Sequence, residues 1–245
     1  MHYSLIIPAW NEAAFLPDTL KSVNTTMQAL QASSEHHGEL IVVDNNSTDD
    51  TADIAREFGA KVVHEAHNQI ARARNRGAAV ANGQALVFMD ADSQCSARLL
   101  EHVLDLLESG SVVGGGSLIA PDKEISGAPL RGLNLWNALA AKAGLAAGCF
   151  VYCRKDAFDE VGGFDTRVYA GEEIFLSRAL KKWGKRKSMD FRIASVSPVV
   201  TSVSKLDWYS PKQIVGQAML VLIPGAVYSR RLCQTWYGKG SRDKH

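Results

Sequence analysis

The chain has 245 residues, a length that suits one α/β domain or one domain with a short appendage. Its residues are 46% hydrophobic and 22% charged, which is typical of a globular protein with a large core. Its four cysteines form no CxxC pair, so neither a zinc ribbon nor a disulfide framework is indicated, and reduced thiols in a cytosolic protein are expected. Residues 1–8 read as a first strand and lack the basic and long apolar regions of a signal peptide.

The net charge of +1 conceals a gradient along the chain. Residues 1–177 carry 13 Lys/Arg and 23 Asp/Glu, whereas residues 178–245 carry 14 and 3. This asymmetry suggests that the final quarter of the chain faces an anionic partner. The alternative is a solvated basic surface that balances the acidic remainder.

Strand and helix patterns alternate along the chain. β-rich or apolar runs predict strands at 2–8, 39–44, 60–64 and 85–90, and helical spacing predicts helices within 11–30, 47–59, 70–83 and 97–110. Further strands are predicted at 111–121 and 190–200, a strand running into a helix at 148–158, a turn at 161–165 and an amphipathic helix at 171–185. This alternation indicates an α/β fold with a mostly parallel central sheet flanked by helices.

The apolar segment at 217–228 is predicted not to cross a membrane. It is far shorter than the roughly 20 residues that span a bilayer, and Pro224 and Gly225 interrupt it. Its apolar part, residues 219–223, is flanked by basic side chains, a combination that favours anionic lipid surfaces: Lys181, Lys182, Lys185, Arg186, Lys187, Arg230 and Arg231. Peripheral attachment to the cytoplasmic membrane face is one hypothesis, and a buried C-terminal helix with solvated lysines is the alternative.

Polar side chains follow three of the predicted strands. Asn11 and Glu12 come after the first strand, Asp44 ends the second, and Asp90 and Asp92 end the strand at 85–90. Ligands of open α/β sheets bind at the carboxyl ends of the strands. The sequence therefore predicts a binding site at this edge of the sheet.

Asp90 and Asp92 offer two hard oxygen ligands, which favour Mg²⁺ or Mn²⁺. Alternate side chains of a strand point to opposite faces, so both can serve one site only if the chain turns just after Asp90. Mg²⁺ usually takes one or two protein carboxylates together with phosphate oxygens, so the pair suggests a metal-bound diphosphate. The alternative is two solvated loop acids.

Asp44 could accept hydrogen bonds from a ribose or a base, because the loop after it is too acidic to bind a phosphate. Arg72, Arg74 and Arg76 are candidate cations for the diphosphate or the base edge. Spaced by two on a helix, they cannot all face the same way, so one or two of them are expected to be surface charges.

Five blocks occur in a characteristic order: "SLIIPAWNE" with "LPDTLKSV", "ELIVVDNNSTDDT", "ARNRGAAVANGQALVFMDAD", "GCFVYCRKDAFDEVGGFD" and "GEEIFLSRAL". In these blocks, over roughly residues 3–180, the chain resembles family 2 glycosyltransferases. The resemblance implies a single GT-A domain, a nucleotide-sugar donor, a divalent cation and inversion at the anomeric carbon. A UDP-sugar is the donor expected at the level of the family. It implies a GT-A domain at 1–200, divided into a nucleotide-binding half (1–95) and an acceptor half (96–200), and a basic, partly apolar, short helical extension at 201–245.

The resemblance also assigns roles to individual residues. Four match the family's first nucleotide-binding loop: Pro8, Ala9, Asn11 and Glu12. Asp44 matches an aspartate that contacts the base or ribose, and Arg74 a residue beside the nucleotide. Asp90, Ala91 and Asp92 match the metal-binding motif, with Asp92 the expected direct ligand and Asp90 nearer the ribose, although Asp90 is also a candidate ligand.

The catalytic base of the family lies in a Glu-Asp pair that opens a helix, and "GEEIFL" places Glu173 at the base position with Glu172 beside it. Aspartate is usual there, and glutamate reaches one methylene further. The structural alternative is an acidic first turn that complements the helix dipole, worth about 0.3–1 kcal/mol. Many GT-A enzymes add a metal-binding histidine, but beyond Asp92 this chain offers only His102 and His245.

Other residues and functions carry weaker signals. Four tryptophans could stack on a sugar, although packing is the commoner role: Trp136, Trp183, Trp208 and Trp236. Four histidines are expected on the surface or in loops: His36, His37, His64 and His67. A dehydrogenase is disfavoured because no GxGxxG follows the first strand. The acceptor hydroxyl (glycan, lipid-linked or small molecule) is not specified, no nucleic-acid partner is expected, and the alternative function is a non-catalytic nucleotide-sugar-binding protein.

Overall fold

A computed structural model describes residues 1–203 and 225–233 of the chain. Within these residues, eight strands form one sheet in the order β3-β2-β1-β4-β7-β6-β8-β5. The strands are β1 His2–Ala9, β2 His37–Asp44, β3 Lys61–His64, β4 Ala85–Met89, β5 Ser93–Gln94, β6 Val112–Pro121, β7 Phe150–Arg154 and β8 Asp190–Thr201. Four neighbouring pairs are parallel (β3–β2, β2–β1, β1–β4 and β6–β8) and three are antiparallel. The prediction of a mostly parallel α/β sheet is confirmed.

Within residues 1–203, seven α-helices flank this sheet. They are α1 Leu16–Ser33, α2 Thr51–Glu57, α3 Ile70–Ala79, α4 Ala97–Glu108, α5 Gly127–Ala143, α6 Lys155–Val161 and α7 Glu172–Arg186. Buried apolar residues of α1, α2 and α4 pack in a core on one face, and those of α3, α6 and α7 pack in a core on the other. The central strands β1, β2, β4 and β7 are largely buried on both faces because their side chains alternate between the two cores.

Three details differ from the sequence-based expectation. Helix α3 ends at Ala79 and not at Gly83, and Gly83 instead packs so closely on β1 that an added Cβ would lie 2.5 Å from the Ser4 backbone nitrogen. Helix α5 was not predicted. His36 lies in the loop before β2, one of its two expected places, but it is not a surface residue: only 3% of it is exposed, and the amino group of Met1 and the carboxylate of Asp105 both contact its ring.

Some expectations fall on residues outside the described ranges. These are the apolar patch at 219–223, most of the extension at 201–245, Trp208, Trp236 and His245. Among the helices that the structure describes, none combines the length and the apolar character needed to span a bilayer.

Candidate functional site

Hydrogen bonds join the loop after β1 to the loop after β2, so the two loops form one unit. Asn11, in the left-handed region at φ 51°, donates its backbone N–H to Ser47 Oγ (3.0 Å), and its side-chain oxygen accepts the Thr48 N–H at 2.8 Å. The Glu12 N–H donates to Thr51 Oγ1 at 2.9 Å. Pro8 and Ala9 are the last two residues of β1, so the four predicted loop residues are contiguous with the strand end.

Asp44 ends β2 beside this loop and is 9% exposed. Its Oδ1 accepts the backbone N–H of Ser47 at 2.9 Å, and its Oδ2 lies 3.1 Å from His64 Nδ1 at the end of β3. Each carboxylate oxygen has two lone pairs and can accept a second hydrogen bond. The carboxylate is therefore held in a fixed orientation at the strand ends and retains acceptor capacity for a ligand hydroxyl or amine.

The chain turns directly after β4, as the spacing of the two aspartates required. The Ser93 N–H donates to the Asp90 carbonyl at 3.1 Å, and the carbonyl of Ala91, between the two acids, accepts the Thr19 hydroxyl at 2.7 Å. Asp92 lines a cavity of about 130 Å³, together with Phe15, Asp18, Thr19, Gln94, Asp122, Val200 and Ser202. Two carboxylates that sequence reasoning missed, Asp18 and Asp122, thus line the same cavity as Asp92.

Arg74 joins the end of β4 to the start of α7. Its side chain is 2% exposed, with Nη2 donating to Asp90 Oδ1 at 2.9 Å and Nη1 donating to Glu172 Oε1 at 2.6 Å. Nη2 also donates to the Gly148 carbonyl at 2.7 Å. Arg72 and Arg76 are exposed, which confirms that the three arginines of α3 do not share one face. The buried guanidinium is an internal ion-pair centre between the two halves of the chain.

Glu173 lies in the first turn of α7, where Gly171 adopts a left-handed conformation at φ 73°. A Cβ placed on Gly148 would lie 3.6 Å from Glu173 Oε2 and 3.4 Å from Arg74 Nη2, so the Glu173 carboxylate lies beside the same glycine as the guanidinium. Burial, and next the charge of Glu172, raise the pKa of Glu173 from 4.5 to about 8. A carboxyl group poised near neutral pH matches what a general base needs.

The remaining candidates are two tryptophans and one histidine. Trp183 is 3% exposed and donates its indole N–H to Glu160 Oε2 at 2.7 Å, so it is a core residue. Trp136 is half-buried on α5, and His102 is half-buried on α4.

The donor set at the end of β4 fits a hard divalent cation that also takes oxygens from its substrate. Asp90 and Asp92 bring two carboxylates to one turn, and Asp90 remains 38% exposed although Arg74 occupies its Oδ1. Within the described residues, a second group of three possible ligands lies at the other end of the strands, where β2 begins: His36, Asp105 and Glu108. Its members already contact one another or the amino group of Met1. The aspartate pair offers the hard oxygen donors that Mg²⁺ or Mn²⁺ prefers beside phosphate oxygens.

Comparison with known proteins places this geometry in a family. A family model described as Glycosyl transferase family 2 matches residues 4–162. The chain belongs to this family. It is 26% identical over 170 residues to a dolichol-phosphate mannosyltransferase of Pyrococcus furiosus, a match that covers 67% of this chain and 45% of that relative. It is 37% identical over 111 residues to a 4,4'-diaponeurosporenoate glycosyltransferase of Staphylococcus haemolyticus, a match that covers 42% of this chain and 27% of that relative. The chain thus spans less than half the length of these two relatives.

Solved structures share the fold. TarS 1–349 of S. aureus, in complex with UDP-GlcNAc, superposes with a TM-score of 0.64 at 15% identity, covering 91% of this chain and 65% of that one. The mannosyltransferase PcManGT of Pyrobaculum calidifontis, in complex with GDP-Man and Mn²⁺, gives a TM-score of 0.60 at 21% identity, covering 82% and 56%. At these identities the likeness establishes the fold, and it is the predicted GT-A fold.

Proposed function

We propose that this chain transfers a sugar from a nucleotide-diphosphate sugar, a UDP-sugar as the first expectation, to an acceptor hydroxyl. Membership of Glycosyl transferase family 2 supports the reaction class. Complexes of structural neighbours with UDP-GlcNAc and with GDP-Man support a nucleotide-sugar donor and leave uridine and guanosine as the two bases to test first. The complex of PcManGT with Mn²⁺ supports a divalent cation.

The proposal depends mainly on one observation, which is the position of the Arg74 guanidinium. It holds Asp90, from the predicted metal motif, and Glu172, from the predicted base pair, within hydrogen-bond distance of one group (2.9 and 2.6 Å). Glu173 adjoins Glu172, and its carboxylate lies beside Gly148, which also contacts Arg74. Asp90 and the candidate base therefore border one small region. A transferase needs this arrangement because the anomeric carbon must meet both the diphosphate and the acceptor oxygen.

The reaction forms a bond between the acceptor oxygen and the anomeric carbon while the bond from that carbon to the diphosphate breaks. The diphosphate leaves with the electron pair, and the hydroxyl proton passes to Glu173 Oε, which has to be ionised to accept it. Attack from the side opposite the diphosphate inverts the anomeric configuration. General-base assistance of this kind contributes about 10²–10⁴-fold to the rate.

The other residues bind and orient. Asp92, with Asp90, would hold a divalent cation, and a cation bound there stabilises negative charge on the diphosphate. Asp44 is positioned to accept hydrogen bonds from the ribose or the base, and the loop at Pro8–Glu12 borders the same strand ends. The buried pair of Arg74 and Glu172 keeps the two sides of the site in register.

The experiment compares Glu173→Gln with a matched control, Glu57→Gln, an exposed glutamate at the end of α2. Thermal-shift titrations with UDP-, GDP- and dTDP-sugars, with and without Mn²⁺, identify the donor first. An enzyme should then lose about 10²-fold or more of its turnover in Glu173→Gln and keep its donor affinity. Donor hydrolysis or transfer that is equal in both variants would reject Glu173 as the base, and donor binding without turnover in the native chain would indicate a non-catalytic nucleotide-sugar-binding protein.

A further inference from the structure

Helix α5 carries apolar side chains on its outward face. Leu135 is 61% exposed and Leu139 is 50% exposed, and among the 17 residues of the helix only Ala140 is buried. Its inward side is also apolar, with Leu133 and Trp136 half-buried. A helix that is apolar on both sides normally lies in a core or against an apolar phase.

The direction of the exposed face is fixed by the opposite side of the helix. The Asn137 side chain accepts the Ile119 N–H at 3.0 Å and donates to the Ile119 carbonyl at 2.9 Å, which bonds α5 to β6. Asn137 is two residues from Leu135, so the two side chains point in roughly opposite directions on a helix. The leucine face is therefore held away from the sheet.

Cations border the leucines on this face. Arg131, Leu135, Leu139 and Lys142 follow at intervals of three and four residues, which places them on one side of the helix. Both cations are exposed, and residues 127–143 contain no acidic side chain. Lys181 of α7 donates to the Ala143 carbonyl and adds a further ammonium at the end of α5. Long basic side chains beside exposed leucines can extend toward phosphate groups while the leucines enter the acyl boundary.

We infer that the outward face of α5, defined by Arg131, Leu135, Leu139 and Lys142, docks on the surface of an anionic lipid bilayer. Leu135 and Leu139 supply apolar contact, and the two cations attract anionic headgroups. This charge complementarity selects the anionic bilayer as the partner. The end of α5 leads through residues 144–147 to Gly148, beside Glu173. Docking would thus bring the candidate acceptor side of the site close to the lipid surface.

Vesicle co-sedimentation of the full chain tests this inference without donor or acceptor, so its outcome is separate from that of the transfer assay. The native chain should partition onto vesicles that contain phosphatidylglycerol more strongly than onto phosphatidylcholine vesicles, and added salt should weaken the difference. The double substitution Leu135→Ser/Leu139→Ser should lower partitioning by about tenfold or more. The matched control is Leu232→Ser, whose leucine is 54% exposed and lies outside α5.

Five results would overturn the inference. Equal partitioning onto anionic and zwitterionic vesicles excludes an anionic surface as the selected partner, and no partitioning onto either excludes a lipid bilayer. A loss confined to Leu232→Ser moves the contact to the C-terminal region. A drop in the lipid-free melting temperature of the double variant, with vesicle binding unchanged, means that the chain's own residues cover the face. Dimers of the native chain that the double variant dissociates, seen by sedimentation velocity, assign the face to a second copy.

Discussion

Glu173→Gln has a consequence for folding that is independent of catalysis. The unfolded chain ionises this carboxyl near its ordinary pKa of 4.5, whereas burial and the neighbouring Glu172 raise the pKa in the fold to about 8. Between these pH values unfolding releases a proton, so rising pH favours the unfolded state. The Glu173 carboxyl therefore costs no stability below about pH 4.5 and its full penalty above about pH 8.

The size of this penalty follows from the interval between the two pKa values. At pH 7.5 the interval covers about three pH units, and one unit corresponds to a little over 1 kcal/mol, which gives an upper limit of about 4 kcal/mol. Glu173 is only half-buried and lies beside Arg74, so we expect about 1–3 kcal/mol. Glutamine has the same shape and no charge, so the variant should escape the penalty.

Urea unfolding at about pH 5.5 and about pH 8 measures the effect. Glu173→Gln should gain stability relative to the native chain as the pH rises, whereas Glu57→Gln on α2 should follow the native chain. A difference between Glu173→Gln and the native chain that does not change with pH would refute the reasoning, because it would mean that Glu173 is already ionised in the fold at neutral pH.

Three further substitutions test the ion-pair network and the metal motif. Glu172→Gln removes the like charge beside Glu173 and releases Arg74 from its partner, so the pKa of Glu173 should fall. The rising limb of the pH profile of kcat/KM should then move to lower pH. A limb that does not move argues against Glu173 as the base. Asp92→Asn should weaken donor binding in the presence of Mn²⁺ by about tenfold or more, as measured by calorimetry, and leave donor binding in the presence of EDTA unchanged. An equal loss of affinity under both conditions contradicts a role for Asp92 in metal binding. Arg74→Met should lower the free energy of unfolding by about 3–5 kcal/mol, because it leaves the buried Glu172 carboxylate unpaired. The exposed Arg76→Met should change it by less than about 0.5 kcal/mol, and equal effects would show that the buried contacts are unimportant.

Most of the fold could be predicted from the sequence because its strands are continuous apolar runs that end in polar residues. β1, β2, β4 and α4 begin or end within two residues of the predicted limits. Helix α5 escaped prediction because its apolar residues do not define one buried face, and glycines and Pro129 interrupt the pattern. Its existence depends on contacts such as those of Asn137 with β6, which a local pattern does not contain.

Residue patterns alone locate the candidate site only at the strand ends, whereas the roles of Arg74, Glu172 and Glu173 come from the family resemblance. Asp44 and Asp92 follow from the rule that ligands of open sheets bind at the carboxyl ends of the strands. Asp122 also follows a strand, β6, but this strand is rich in glycine and its direction in the sheet could not be predicted. The identity of the inward-facing arginine depends on how α3 is rotated against the sheet. Its pairing with Glu172 joins residues 98 positions apart, which no local spacing can indicate.

The internal pairing of Arg74 with Glu172 also limits how this scaffold can be recombined. A hybrid enzyme that joins residues 1–95 of one homologue to the later residues of another would inherit the arginine and its glutamate from different parents. Unless both parents carry the same two residues, the hybrid would leave an unpaired charge in the interior next to the candidate site. Residues 1–95 and the later residues of this chain are therefore not freely exchangeable modules, and a graft of one must carry over the ionic contact that couples it to the other.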